Sequence, residues 1–263
     1  MIDLDRSVTG RVNERENMYR FFVEPSRVGE KEIRIGGEDV NHIKNVLRMR
    51  PGEKILICTG DEWEYTCEVK ELEQDVVRAE ILDAQKPGKE LQSRIRLYQC
   101  LPKGDKMELI IQKAVELGTF SVVPVRSARC IVKLDDKKAA ARVERWNAIA
   151  ESAAKQSKRM IIPQVERVMG LKEALKDAAA CDVRLMPYEN EAGMARTREV
   201  LEGIVPGQSV AVLIGPEGGF SPEEAELARE SGFLTITLGK RILRTETAGM
   251  TVIAILMYLL EQD

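Results

Sequence analysis

The sequence predicts an α/β protein in two parts, a small β-barrel followed by a larger, mostly parallel sheet covered on both faces by helices. Three observations carry this. Short strand-like runs fill residues 18–86, the period switches to alternating strands and helices beyond Lys86-Pro87-Gly88-Lys89, and two loops near the C-terminus each follow a strand-length apolar run and precede a helix. Such loops meet at the carboxyl edge of a parallel sheet, where open α/β folds bind ligands.

In chain order, Arg20–Val23, Glu32–Ile35, Lys54–Cys58, Glu64–Val69 and Val76–Ile81 read as strands separated by Gly, Asp and Pro turns. One helical insert, Asp39–Met49, precedes the turn at Pro51-Gly52, and Phe21 and Phe22 alternate faces so that at least one enters the barrel core. Residues 86–89 form the linker. In the second part, residues 90–263, Ile95–Cys100 and Phe120–Val125 flank a helix, Asp105–Leu117, that Gly118 terminates. A longer helix, Lys137–Lys158, sets Val143, Trp146, Ile149, Ala150 and Ala153 on one stripe. Strands are expected at Ile161–Val165, Val183–Met186, Val210–Ile214 and Leu234–Leu238. The last helix, Glu246–Leu260, is apolar on most sides, which predicts burial in the core or against a second copy of the chain.

Composition narrows the function classes. A chain of 263 residues, 44% hydrophobic and 32% charged, describes a globule of one or two domains. Five cysteines without a CxxC pair point to reduced thiols in a cytoplasmic protein, and a single histidine, His42, argues against a zinc site. Neither a signal peptide nor a spanning helix is expected, since the longest apolar run, Met250–Leu260, is short and interrupted. Net charge is −3, yet residues 94–167 carry 16 basic against 8 acidic side chains while residues 168–233 carry 6 against 12. The basic centre suits either a phosphate backbone or an ordinary solvated face.

The first C-terminal loop is Gly215-Pro216-Glu217-Gly218-Gly219-Phe220-Ser221-Pro222-Glu223-Glu224. Its glycines permit close approach of a ligand to the backbone. Ser221 as N-cap, Pro222 at the first helical position and Glu224 closing a capping box predict a helix from Pro222 to near Gly232. There is no dinucleotide or triphosphate fingerprint, so an ordinary glycine turn feeding a capped helix also fits.

Taken together, Tyr19-Arg20-Phe21-Phe22, His42-Ile43-Lys44-Asn45-Val46-Leu47-Arg48, Asp105-Lys106-Met107-Glu108, Glu116-Leu117-Gly118, the run Glu151–Arg159 and the two loops, the second being Leu238-Gly239-Lys240-Arg241-Ile242-Leu243-Arg244-Thr245-Glu246, resemble the ribosomal RNA small subunit methyltransferase E family, of the SPOUT class. The resemblance runs from about Met18 to Leu260, leaving residues 1–17 as an N-terminal extension. It implies a PUA-like RNA-binding barrel, a trefoil-knotted domain that binds S-adenosylmethionine and forms a homodimer, and methylation of uridine N3 in 16S ribosomal RNA of the small subunit. Carried onto this chain, the cofactor would meet Leu185 and Pro187 on one strand end, Ile214, Gly215, Pro216, Glu217, Gly218 and Gly219 on the first loop, and Leu238, Gly239, Ile242, Leu243 and Arg244 on the second. No metal is needed.

Uridine N3 carries a proton whose pKa lies above neutrality, so the reaction calls for a cation near O2 or O4 and a carboxylate to take the proton. Arg159 and Arg244 are the candidate cations. Glu246 and Glu217 are the candidate bases, although Glu246 could equally cap the last helix and Glu217 could order its loop. Arg20, Arg48, Lys103, Arg126, Arg129, Lys155, Gln156 and Lys158 are candidate RNA contacts, and His42 reads as structural or RNA-facing. Two other functions remain open: a ribose 2′-O-methyltransferase on the same scaffold, and a ribosome-assembly factor without catalysis.

Overall fold

The computed structural model describes residues 18–188 and 193–261. The expected N-terminal extension, residues 1–17, lies outside the described residues. The chain divides after Glu90 into two compact units.

In the first unit, β1 (Arg20–Phe22), β2 (Glu32–Gly36), β3 (Lys54–Cys58), β4 (Glu64–Leu72) and β5 (Val76–Gln85) form one sheet in the order β1-β3-β4-β5-β2. Only the β1–β3 pair is parallel. The sheet curls as a half-barrel around Phe21, Ile33, Ile35, Ile43, Ile55, Ile57, Val69 and Val77. Alternation along β2, with Ile33 and Ile35 buried between partly exposed or exposed neighbours, selects the inner face. Both β4 and β5 run past their expected ends, and register shifts at Thr66/Cys67 and Val69/Glu71 keep the long pair curved.

The insert is shorter than its apolar pattern suggests. An α-helical turn, α1 (Glu38–Asn41), passes into a π-turn at His42–Val46. Arg48 then adopts φ 53°, and the Met49 N–H bonds back to the Ile43 carbonyl at 3.0 Å. That left-handed residue ends the helix.

The second unit holds β6 (Ile95–Cys100), α2 (Lys106–Glu116), β7 (Ser121–Arg126), α3 (Asp136–Gln156), β8 (Gln164–Val165), β9 (Met169–Gly170), α4 (Leu171–Ala178), β10 (Val183–Pro187), α5 (Met194–Glu202), β11 (Val210–Ile214), α6 (Pro222–Glu230), β12 (Leu234–Ile236) and α7 (Thr245–Leu260). Its sheet order is β12-β10-β11-β6-β7-β8, with β9 also on β7, and all these pairs are parallel. The central strands are buried almost throughout, as a sheet covered on both faces requires.

Two expected strands are cut short. Pro163 can donate nothing to a ladder, and the strand expected from Ile161 is confined to Gln164–Val165. β12 stops at Ile236 because the Thr237 N–H turns to the Thr197 hydroxyl at 3.0 Å. The segments β9, α4 and α5 were not among the expected elements. α7 buries Val252, Ile253, Leu256 and Leu260, while Tyr258 on the same helix is 81% exposed. All five cysteines are buried and without disulfides.

Candidate active site

The strands β10, β11 and β12 are neighbours in the sheet and end on the same edge, at Pro187, Ile214 and Ile236. The loops that leave this edge enclose a cavity of about 490 Å³. Its walls are Pro187 and Tyr188 after β10, Ile214–Glu217, Gly219 and Phe220 after β11, and Thr237–Thr245 after β12, with Lys106 and Ala248 completing it.

Each loop owes its shape to a few residues. In the first, Gly219 adopts φ 63° and its N–H closes a turn onto the Pro216 carbonyl at 2.9 Å. A Cβ on Gly215 would approach the Phe220 ring at 3.2 Å. The predicted capping box is present: Ser221 Oγ accepts from the Glu224 N–H at 3.2 Å and Glu224 Oε2 accepts from the Ser221 N–H at 3.0 Å. In the second loop Gly239 sits at φ 106°, a conformation side-chain-bearing residues rarely adopt, and the space where its Cβ would lie is open. Thr245 ties the loops together. Its hydroxyl donates to the Gly215 carbonyl at 2.6 Å and accepts from Gln99 Nε2 at 2.8 Å.

A charged cluster stands beside the cavity. Lys106 Nζ lies 3.2 Å from Glu217 Oε1 and 3.2 Å from Glu246 Oε2. Glu217 Oε1 also accepts from the Lys103 N–H at 3.0 Å. The hydrogen bond to Glu217, then that to Glu246, raises the Lys106 pKa above its ordinary value. Burial pushes the Glu217 carboxyl upward, but N–H donors from its own backbone and Lys103, together with Lys106, outweigh that and hold it below the usual carboxylate range.

Most of the residues expected to meet the cofactor line this cavity, and two do not. Leu185 is fully buried within β10, and Gly218 turns away from the cavity, its carbonyl accepting from Arg129 at 2.9 Å. Arg244 lines the cavity and is exposed at the N-cap of α7. Glu246 reaches the site through Lys106. Arg159 does not join them. Its buried guanidinium donates to the carbonyls of Val115, at 2.6 Å, and Thr119, at 3.2 Å, beyond the far end of the helix that Lys106 begins. Arg20 is likewise no exposed contact, because it is buried against Glu64 at 2.6 Å and Cys58 Sγ at 3.2 Å.

Among the other basic candidates, Arg48, Lys103, Arg126, Arg129 and Lys158 are exposed, as is Gln156, while Lys155 is half-buried and pairs with Glu151 at 2.9 Å. Sequence reasoning missed Lys106, Tyr188, Phe220, Thr237, Lys240, Arg241, Thr245 and Ala248. For Lys106 the signal was present, since it stands in the quoted Asp105-Lys106-Met107-Glu108 run without a role attached.

Among the described residues no helix is long and apolar enough to cross a membrane, and no group of three or more His, Cys, Asp or Glu side chains could hold a metal ion.

Comparison with known proteins identifies the family of the chain. An RNA methyltransferase domain model matches residues 89–257, and an RNA methyltransferase PUA domain model matches residues 35–82. The chain is 36% identical to ribosomal RNA small subunit methyltransferase E of Bacillus subtilis, over 92% of this chain and 96% of that protein. The Aquifex aeolicus protein of the same name is 30% identical over 91% and 99%. The crystal structure of ribosomal RNA small subunit methyltransferase E from Neisseria gonorrhoeae, bound to S-adenosyl methionine, superimposes with a TM-score of 0.81 at 37% identity, covering 92% of this chain and 98% of that one. With the family model spanning most of its second unit and relatives of 30% identity or more matched over nearly their full length, the chain belongs to the ribosomal RNA small subunit methyltransferase E family.

Proposed function

We propose that the protein transfers the methyl group of S-adenosylmethionine to N3 of a uridine in 16S ribosomal RNA of the small subunit. The observation that carries this is the cavity between the two loops, with a lysine and two carboxylates beside it. Its size suits a small-molecule ligand of this class, and Ile214, Leu238, Ile242 and Leu243 offer apolar walls beside the loop backbone. The open space over Gly239 and the close packing at Gly215 make a cradle in which a cofactor meets main chain rather than side chains. Those features fit S-adenosylmethionine. When bound, it supplies an electrophilic methyl group.

The chain's own part is to hold the uracil and manage its N3 proton. Arg244, exposed on the second loop, is positioned to offset negative charge developing on a carbonyl oxygen of the base. Glu246 and Glu217 are the carboxylates available to take the proton. Exposed Arg48, Lys103, Arg126, Arg129, Gln156 and Lys158 are proposed to reach the RNA, which acts in the cytoplasm as part of the small subunit. A trefoil knot at the cofactor loops and a homodimer complete the reading, the latter supported by the exposed apolar side chains of Ile242, at 85%, and Tyr258.

The test is nucleoside mass spectrometry of small subunits lacking the modification, after incubation with the protein and isotopically labelled S-adenosylmethionine. Labelled 3-methyluridine is the expected product. A labelled 2′-O-methyl nucleoside would move the target to the ribose, and absence of label with saturable cofactor binding would contradict the assigned substrate.

A further inference from the structure

The loop after β7 holds the first cavity loop from outside. The Cys130 N–H donates to the Ser127 carbonyl at 3.2 Å, which folds Ser127–Cys130 into a turn. From that turn the Ala128 N–H donates to Glu224 Oε1 at 2.7 Å, and Arg129 Nη1 donates to the Gly218 carbonyl at 2.9 Å. That carbonyl belongs to the same peptide group as the Gly219 N–H, which closes the cavity loop's own turn onto Pro216. A cation at the carbonyl end polarises the peptide and strengthens the bond at its N–H end. Glu217 and Gly219, on either side of Gly218, both line the cavity.

Arg129 commits only part of its donor set to that bond. A guanidinium carries five N–H donors in one plane. Among the described residues, exposed Arg129 makes this one hydrogen bond and no ion pair. The Glu223 carboxyl at the start of α6 is held low by the Ser221 side chain, its own N–H and, last, the Arg129 charge, so the two are near without pairing. Exposed Arg126 ends β7, exposed Lys133 stands further along the same loop, and exposed Lys103 lies on the loop after β6, whose backbone holds Glu217.

We propose that Arg129 couples the RNA to the cofactor: its remaining donors take a backbone phosphate while Nη1 keeps the Gly218 carbonyl, so that bound RNA steadies the cavity loop and tightens cofactor binding. The planar fork serves two oxygens in fixed directions, which a lysine ammonium does not match. An exposed arginine samples many rotamers, and a phosphate that fixes it makes the bond to Gly218 persistent. By linkage, the cofactor tightens RNA binding by the same factor. The inference rests on the reading of the RNA substrate given above.

The test is equilibrium dialysis of labelled S-adenosylhomocysteine, the unreactive product, with wild type, Arg129→Met and Arg129→Lys, each with and without small ribosomal subunits lacking the modification. Wild type should bind the ligand about fivefold more tightly when subunits are present, the low end of coupling between sites. Arg129→Met should lose that gain, and the salt dependence of its subunit binding should flatten by about one unit of slope. Arg129→Lys should keep the wild-type salt slope and still lose most of the gain, a split that a purely structural role does not produce. An undiminished gain in Arg129→Met would overturn the proposal. So would a loss of ligand affinity in that variant that is equal with and without subunits, which would make Arg129 a brace of the loop alone. Wild type that binds subunits with no gain would overturn the coupling and leave the substrate reading standing, whereas wild type that does not bind them would sink both.

Discussion

Arg244 and Arg159 show how one residue type takes opposite parts. Arg244 ends a glycine-bearing loop and stands exposed on the cavity, whereas Arg159 is buried and spends its donors on backbone carbonyls. We therefore expect Arg244→Ala to lower turnover by about 100-fold, the scale of losing one preorganised charge or donor, with RNA affinity little changed. Single-turnover rates and filter binding separate the two, and wild-type turnover in the variant would remove Arg244 from the mechanism. Sequence placed Arg244 on the loop that lines the cavity because the glycine-bearing segment marks that loop. It did not reveal that Arg159 and Arg20 are buried, because a sequence displays charge but not desolvation. Both are basic residues in family motifs, and both prove to be internal donors, Arg20 to Glu64 and Arg159 to the end of α2. Gly218 is a comparable case, since sequence does not reveal which glycine of a pair bends the chain and which meets a neighbour. Gly219 takes the left-handed conformation, and Gly218 packs beside Arg129.

At the scale of elements, α2 joins the two ends of the domain. Lys106 in its first turn reaches the carboxylates at the cavity, and the Val115 carbonyl in its last turn accepts from Arg159. Replacing Arg159 by Met would take that donor from the Thr119 carbonyl and from the Val115 carbonyl, which keeps the Gly118 N–H, a loss of about 1–3 kcal/mol. Denaturant unfolding of Arg159→Met measures this, and cofactor affinity should be unchanged. Full stability with abolished turnover would restore Arg159 to the chemistry. Most strands and long helices were legible because their periodicity is strong: β3, β11 and the capping box of α6 match their expected limits. α4 and α5 were not, being short helices of eight and nine residues within the acidic stretch between better-marked strands. The insert at α1 was over-extended because an apolar period continues through Leu47 while the backbone of Arg48 does not.

At the scale of the whole molecule, the two units have separate chemistry. The first is a curled sheet around an aliphatic core, and the second holds the entire loop cavity, from Lys106 to Ala248. Only folding brings Lys106 to Glu217 and Glu246 across more than a hundred residues, which is why sequence found the loops but not the cluster. The basic balance of residues 94–167 in the second unit makes RNA affinity salt-dependent in either functional reading, so it does not discriminate between them.

The central claim is that the loops after β11 and β12 form the S-adenosylmethionine site, and calorimetric titration of the cofactor into wild type and Gly239→Val tests it most directly. Gly239 lies at φ 106° with open space where a side chain would enter, so valine both strains the loop, by roughly 1–3 kcal/mol, and occupies the cradle. The account predicts saturable binding by the wild type and none by a Gly239→Val protein that still unfolds cooperatively. Wild-type affinity in the folded variant would contradict it.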